Sequence, residues 1–259
     1  MGLTDSQTSR MVESVQRWRI AFRRGSPALD LGPPEINRAW AAGLTAARIP
    51  VVMSAAATPR PRLTFAAPLP PGRAAEHDLA DLILSERWSL WRLRAALEAA
   101  LPAGFEVVEL YDVWLGAPAI TAMLGAMSHR ATLAGAAPVE LAAASRGLLA
   151  ADRLERSRAT GTERRITYDL RPLILQLEVD GCGRARPGLD REPAVARATI
   201  RMVLRTSSDG PPGRPDEVIL ALGEAIDRQL ELVELVRERA WTTDEVPTLV
   251  KLATRGTEA

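Results

Sequence analysis

Between residues 17 and 22 the chain alternates strictly, with Trp18, Ile20 and Phe22 on one side and Arg17 and Arg19 on the other. A period of two marks a β-strand buried on one face, because successive side chains point to opposite sides of the pleat. The chain must therefore supply a covering layer for that apolar side. A loop containing Gly25, Pro27, Gly32, Pro33 and Pro34 follows, and the period then changes. Ile36, Trp40, Leu44 and Ala47 recur at helical spacing, which predicts a helix over 35–48. Pro50 and the Pro59/Pro61 pair bracket a short extended segment; residues 62–65 read as a second strand and 79–84 as a third. Ser89 stands where an N-cap belongs, ahead of the stripe Leu90, Leu93, Leu97 and Leu101, and Pro102 with Gly104 stops that helix. Residues 105–114 form a fourth strand. Strand, helix, strand, strand, helix, strand is the order of a ferredoxin-like unit.

The rest of the chain repeats this plan more loosely. Residues 127–133 predict a short strand, 138–157 a helix rich in Ala and Leu, and 165–179 either one long strand or two joined at Pro172. Residues 199–205 alternate as another strand, after a Gly/Pro/Arg loop over 180–193. Pro215, Asp216 and Glu217 open a final helix, since proline and acids suit a first turn. Its stripe is Ile219, Leu222, Ile226, Leu230, Val233 and Val236. The fold expected is α+β with two ferredoxin-like (split βαβ) halves, at 15–116 and 117–245. A disordered tail occupies 1–14 and a second tail 246–259, and the halves meet near residues 116–121.

Composition decides which chemistries are open. Apolar residues make up 47% and charged residues 25% of the 259, enough to bury a core. The single cysteine, Cys182, cannot build a disulfide framework or an iron–sulfur cluster. The polar start and the lack of an apolar run of ~20 residues point to no membrane span and a cytoplasmic protein. His77 and His129 have no second histidine at i+3 or i+4, so no metal and no cofactor is expected. His77, in Glu76-His77-Asp78, reads as a solvated strand entry, and His129 as a surface residue at a strand start. No phosphate-binding glycine loop and no nucleophile elbow occurs, and no residue is assigned a catalytic role. The net charge of +1 conceals a gradient: residues 1–73 carry ten Arg against four acids, and residues 216–245 nine acids against three Arg.

Short motifs stand in a fixed order along the chain. They are residues 18–25 (Trp18 to Gly25), 37–40 (Asn37 to Trp40), Arg48-Ile49-Pro50, Pro59-Arg60-Pro61-Arg62-Leu63-Thr64-Phe65-Ala66 and Pro68-Leu69-Pro70-Pro71-Gly72. Leu101-Pro102-Ala103-Gly104-Phe105, Tyr168-Asp169-Leu170-Arg171-Pro172 and Arg214-Pro215-Asp216-Glu217-Val218 follow. Through them the chain, over 17–225, resembles the radical-SAM-linked domain family, fused to or encoded beside cobalamin-binding radical SAM proteins, as a divergent member. Where the family carries Ser-His-Leu-Asp, this chain reads Asp30-Leu31-Gly32-Pro33-Pro34-Glu35. The family's Ser-x-Gly-Phe-His/Asn stretch is replaced by Ser54-Ala55-Ala56-Ala57-Thr58. The resemblance implies RNA, a radical SAM protein or ribonuclease E/G as partner.

Two readings follow. In one, the chain is a non-catalytic accessory module binding RNA or such a partner, with Arg17, Arg19, Arg62, Arg201 and Arg205 on polar strand faces offered to phosphates. The binding residues expected are Arg60, Arg62, Asp169, Arg171 and Arg214, the charged positions kept within the motifs. In the other, it is a metal-free RNA-processing or RNA-modifying enzyme, with Glu76, His77, Asp78, Tyr168, Asp169 and Arg171 as candidates for acid/base work. Pro-flanked arginines equally serve as donors to backbone carbonyls at strand ends, and Asp169 with Arg171 equally marks a structural bend.

Overall fold

The computed structural model describes residues 14–160, 164–180, 197–206 and 211–246. Both expected tails, apart from Ser14 and Val246, lie outside the described residues, as do Cys182 and the loop expected after Asp180.

The first half runs β1 (Gln16–Arg24), α1 (Pro33–Ala46), β2 (Leu63–Phe65), β3 (Ala74–Leu84), α2 (Leu90–Ala100) and β4 (Phe105–Val113). Its strands lie in the order β4-β1-β3-β2, every neighbour antiparallel. That is the ferredoxin-like arrangement. Ser89 caps α2, its hydroxyl accepting from the N–H of Arg92. α1 buries Ile36, Trp40 and Leu44. Trp40 meets Phe22, Phe65 and Phe105 edge-on at centroid distances of 5.2, 5.2 and 5.5 Å, which fixes helix against sheet.

After a one-turn α3 (Ile120–Met123), the second half runs β5 (Leu124–Ala134), α4 (Pro138–Ala150), β6 (Glu155–Thr160), β7 (Arg164–Asp169), β8 (Ile174–Asp180), β9 (Arg197–Arg205), α5 (Pro215–Ala225) and β10 (Glu231–Thr242). The order β10-β5-β9-β8, again antiparallel, repeats the first half, with the β6–β7 hairpin inserted between α4 and β8. β10 then pairs in parallel with β3, Val236 opposite Ala74 and Arg237 opposite Ala75. The halves thus share one eight-stranded sheet while keeping separate cores. β2 and β10 share the same edge of β3, β2 on residues 80–82 and β10 on 74–75. A break in the sheet lies between them.

Four expectations need correction. The final helix ends at Ala225; Leu230, Val233 and Val236 flank or lie in β10, because β5 requires an antiparallel partner. The helix expected over 138–157 ends at Ala150, and 155–160 pairs with β7 instead. Arg17 and Arg19 do not face solvent. Both are buried against Asp81, and the segment after β4 covers them: the carbonyls of Ala117 and Pro118 accept from Arg17, and the N–H of Ile120 donates to Asp81. Glu76-His77-Asp78 is no strand entry, since β3 begins at Ala74 and Asp78 is 1% exposed. Residues 171–173 form a 3₁₀ turn at Pro172, so the alternative of two strands holds there.

Candidate functional site

Where β3 meets β10 the structure opens a cavity of about 650 Å³. The segment after β2 (Ala66, Ala67, Pro68, Pro70, Arg73) forms one wall, and the approach to α5 (Pro212 to Asp216) forms another. Met127 and His129 of β5, Arg205 at the end of β9, and Leu235 and Arg237 of β10 complete it, with Thr121 and Ala122 of α3 at the rim. Ala66, His129, Leu235 and Arg237 are buried; Arg205, Arg214 and Asp216 are exposed.

Two buried guanidinium groups hold the first wall. Arg24 donates to the carbonyls of Ala28, Leu29, Leu31, Leu69 and Pro70, an arginine serving as the hub of a loop rather than as a ligand group. Burial lowers its pKa first, and Arg237 adds to the effect. Arg237 donates to Asp78 at 2.6 Å and to the carbonyl of Pro68 at 2.8 Å. An ion pair this dry is held by geometry and hydrogen bonding together.

Charge inside the cavity is mostly cancelled. Asp78 neutralises Arg237, and Asp216 pairs with Arg73 at 2.6 Å. His129 is neutral: burial, then Arg237 and Arg73, lowers its pKa to about 3. Arg205 and Arg214 remain, exposed at the mouth, their guanidinium groups without a hydrogen-bond or ion-pair partner among the described residues. A mouth with two uncompensated cations attracts anions, and guanidinium suits a phosphate by its forked donors.

The residues expected from sequence do not all converge. Arg214 is on the mouth. Arg60 and Arg62 are exposed just before β2, where Arg62 donates to the Ser14 hydroxyl at 3.0 Å. Asp169 and Arg171 sit beside β8, with β10, β5 and β9 between them and β3. Asp169 accepts from the N–H groups of Leu154 and Arg171, and the first of these bonds chiefly lowers its pKa. Arg171 donates to the carbonyls of Leu149 and Ile174, tying α4 to β8. His129, expected at the surface, is instead on the cavity floor, because β9 and β10 flank it on both sides. His77 lies 3.5 Å from Glu109 and away from the cavity lining. Arg73 and Arg237 were not among the expected binding residues, and Arg205 was expected only as a strand-face cation offered to phosphates; pairing across the seam brings the three together.

Among the described residues no helix is long and apolar enough to cross a membrane. The model of a family described as "Uncharacterized protein conserved in bacteria (DUF2344)" matches residues 17–211. A search of curated proteins finds no match. Among solved structures, one similar chain is from a crystal structure of a Cbf5-Nop10-Gar1 complex, at 12% identity and a TM-score of 0.48. That match covers 88% of this chain and 50% of the other, so this chain spans half the length of its structural neighbour.

Proposed function

This chain belongs to the DUF2344 family of uncharacterized proteins conserved in bacteria, and on that premise we propose that it is a non-catalytic module that binds RNA at the cavity between its two halves. The observation that carries the reading is the pair Arg205 and Arg214, whose guanidinium groups at the mouth have no partner among the described residues while every other cavity cation there is paired or neutral. Two candidates for acid/base work are already committed, which favours binding over catalysis. Asp78 is locked to Arg237, and Asp169 accepts two backbone N–H groups. The radical-SAM resemblance supports a role in presenting RNA to a partner enzyme, radical SAM or ribonuclease E/G.

Fluorescence anisotropy with a short single-stranded RNA, titrated across ionic strength, tests this. Binding should weaken linearly in log–log form, since each neutralised phosphate releases counterions. Changing Arg205 and Arg214 to Ala together should reduce the slope by about 1.4, from about 0.7 per contact on a single strand. No salt-dependent binding by the wild type, or an unchanged slope in the double variant, would overturn the reading.

A further inference from the structure

Resting on the RNA reading above, we propose that the cavity receives one nucleobase drawn out of its stack, while the flanking phosphates stay at the mouth on Arg205 and Arg214. The distribution of charge carries the inference. The cations without a partner among the described residues are exposed, while Asp78 cancels the buried Arg237 and Asp216 the half-buried Arg73. A phosphate gains most at the mouth and little at the floor. The floor offers what a base needs instead. Leu235 and Met127 supply apolar surface for a ring face, and the His129 imidazole, buried and uncharged, presents one donor and one acceptor to a base edge.

Size agrees. A cavity of about 650 Å³ lies within the range that encloses small molecules, holds a nucleotide, and cannot admit a helix. Among the described residues no aromatic side chain lines it, so the base would be held by apolar contact and edge hydrogen bonds rather than by a stacking platform. A single strand suits such a site, because extruding a base costs least where no pair must be broken.

The test places 2-aminopurine, whose fluorescence rises on unstacking, at the centre of a short single-stranded RNA. Wild-type protein should raise that fluorescence several-fold at saturation. Ala122→Trp, which fills the mouth, should abolish the rise and weaken binding while keeping the salt slope that the two arginines set. Thr121→Trp on the same rim serves if Ala122→Trp fails to fold by circular dichroism. Salt-dependent binding by the wild type without a fluorescence rise would overturn the nucleobase inference and leave the RNA reading standing. A rise that persists in both filled variants would also overturn it. No binding at all would remove the RNA reading itself.

Discussion

His129 shows how little a residue's neighbours in sequence say about its chemistry. Beside Arg130 it looks like a surface histidine; across the sheet it faces Met202 on β9 and Arg237 on β10. Burial makes the charged form costly, and two nearby arginines add repulsion, so its pKa is lowered to about 3. The unfolded chain keeps a histidine near pH 6.5 and takes up the proton first as pH falls. Stability from this site is therefore complete above about pH 6.5 and declines on acidification towards pH 3, by up to about 1.4 kcal/mol per pH unit. Urea midpoints measured between pH 4 and 7 should slope in the wild type and flatten in His129→Gln. Equal slopes would mean that the imidazole is solvated. Of the cavity's charged groups, Arg214 was visible in its Gly-Arg-Pro-Asp motif. Arg73 and Arg237 were not, because their roles come from partners about 140 and 160 residues away.

At the scale of elements, local period and capping were sufficient in the first half. The stripe of α1 and the cap at Ser89 correspond to what forms; the alternation of β1 marks a strand, but one buried on both faces. β10 was misread because Ile226, Leu230, Val233 and Val236 fit a helix as well as they fit a turn followed by a strand. What decides it is Asp227, at φ 52, together with the approach of the Arg228 carbonyl to Gly223, which turns the chain back from α5. β6 was missed because Leu154 prolongs the apolar pattern of α4, whereas the pairing of Arg156 with Tyr168 is non-local. Two glycines separate packing from propensity. A Cβ on Gly43 of α1 would lie 1.9 Å from the carbonyl oxygen of Ala100, where α2 passes. Gly43→Ala should therefore destabilise by about 1–3 kcal/mol, the usual cost of overpacking. Gly147 of α4 has nothing within 4 Å, so Gly147→Ala should stabilise by about 0.5–1 kcal/mol through helix propensity alone. Chemical denaturation of the two variants checks both signs; a neutral Gly43→Ala would mean that α1 and α2 are free to separate.

Across the whole molecule, the charge gradient along the chain becomes a contact. Arg73, the last cation of the basic stretch, pairs with Asp216, the first acid of the acidic one. A second link, Arg130 with Glu76, also crosses from β5 to β3. Both are partly exposed, and such pairs contribute little. Arg237 with Asp78 is different. It joins β10 of one half to β3 of the other with side chains 9% and 1% exposed, beside only two backbone pairs in the parallel ladder. Each half has its own main apolar core, and a small cluster of Ala21, Leu79, Ile120 and Ala240 joins them at this seam, so cooperativity between the halves passes through it. Asp78→Ala leaves a guanidinium buried without its carboxylate, which costs about 3–5 kcal/mol in comparable pairs. Replacing both partners, with Asp78→Ala and Arg237→Met, removes the stranded charge and should recover much of that loss. The loss should fall on coupling as well as on stability. Urea unfolding of the wild type, followed by tryptophan fluorescence and circular dichroism, should give one coincident transition; Asp78→Ala should split the two probes, because most tryptophans belong to the first half. Coincident curves in Asp78→Ala, or a double variant no better than the single, would show that the backbone pairing of β3 with β10 and the apolar contacts beside it couple the halves without the ion pair.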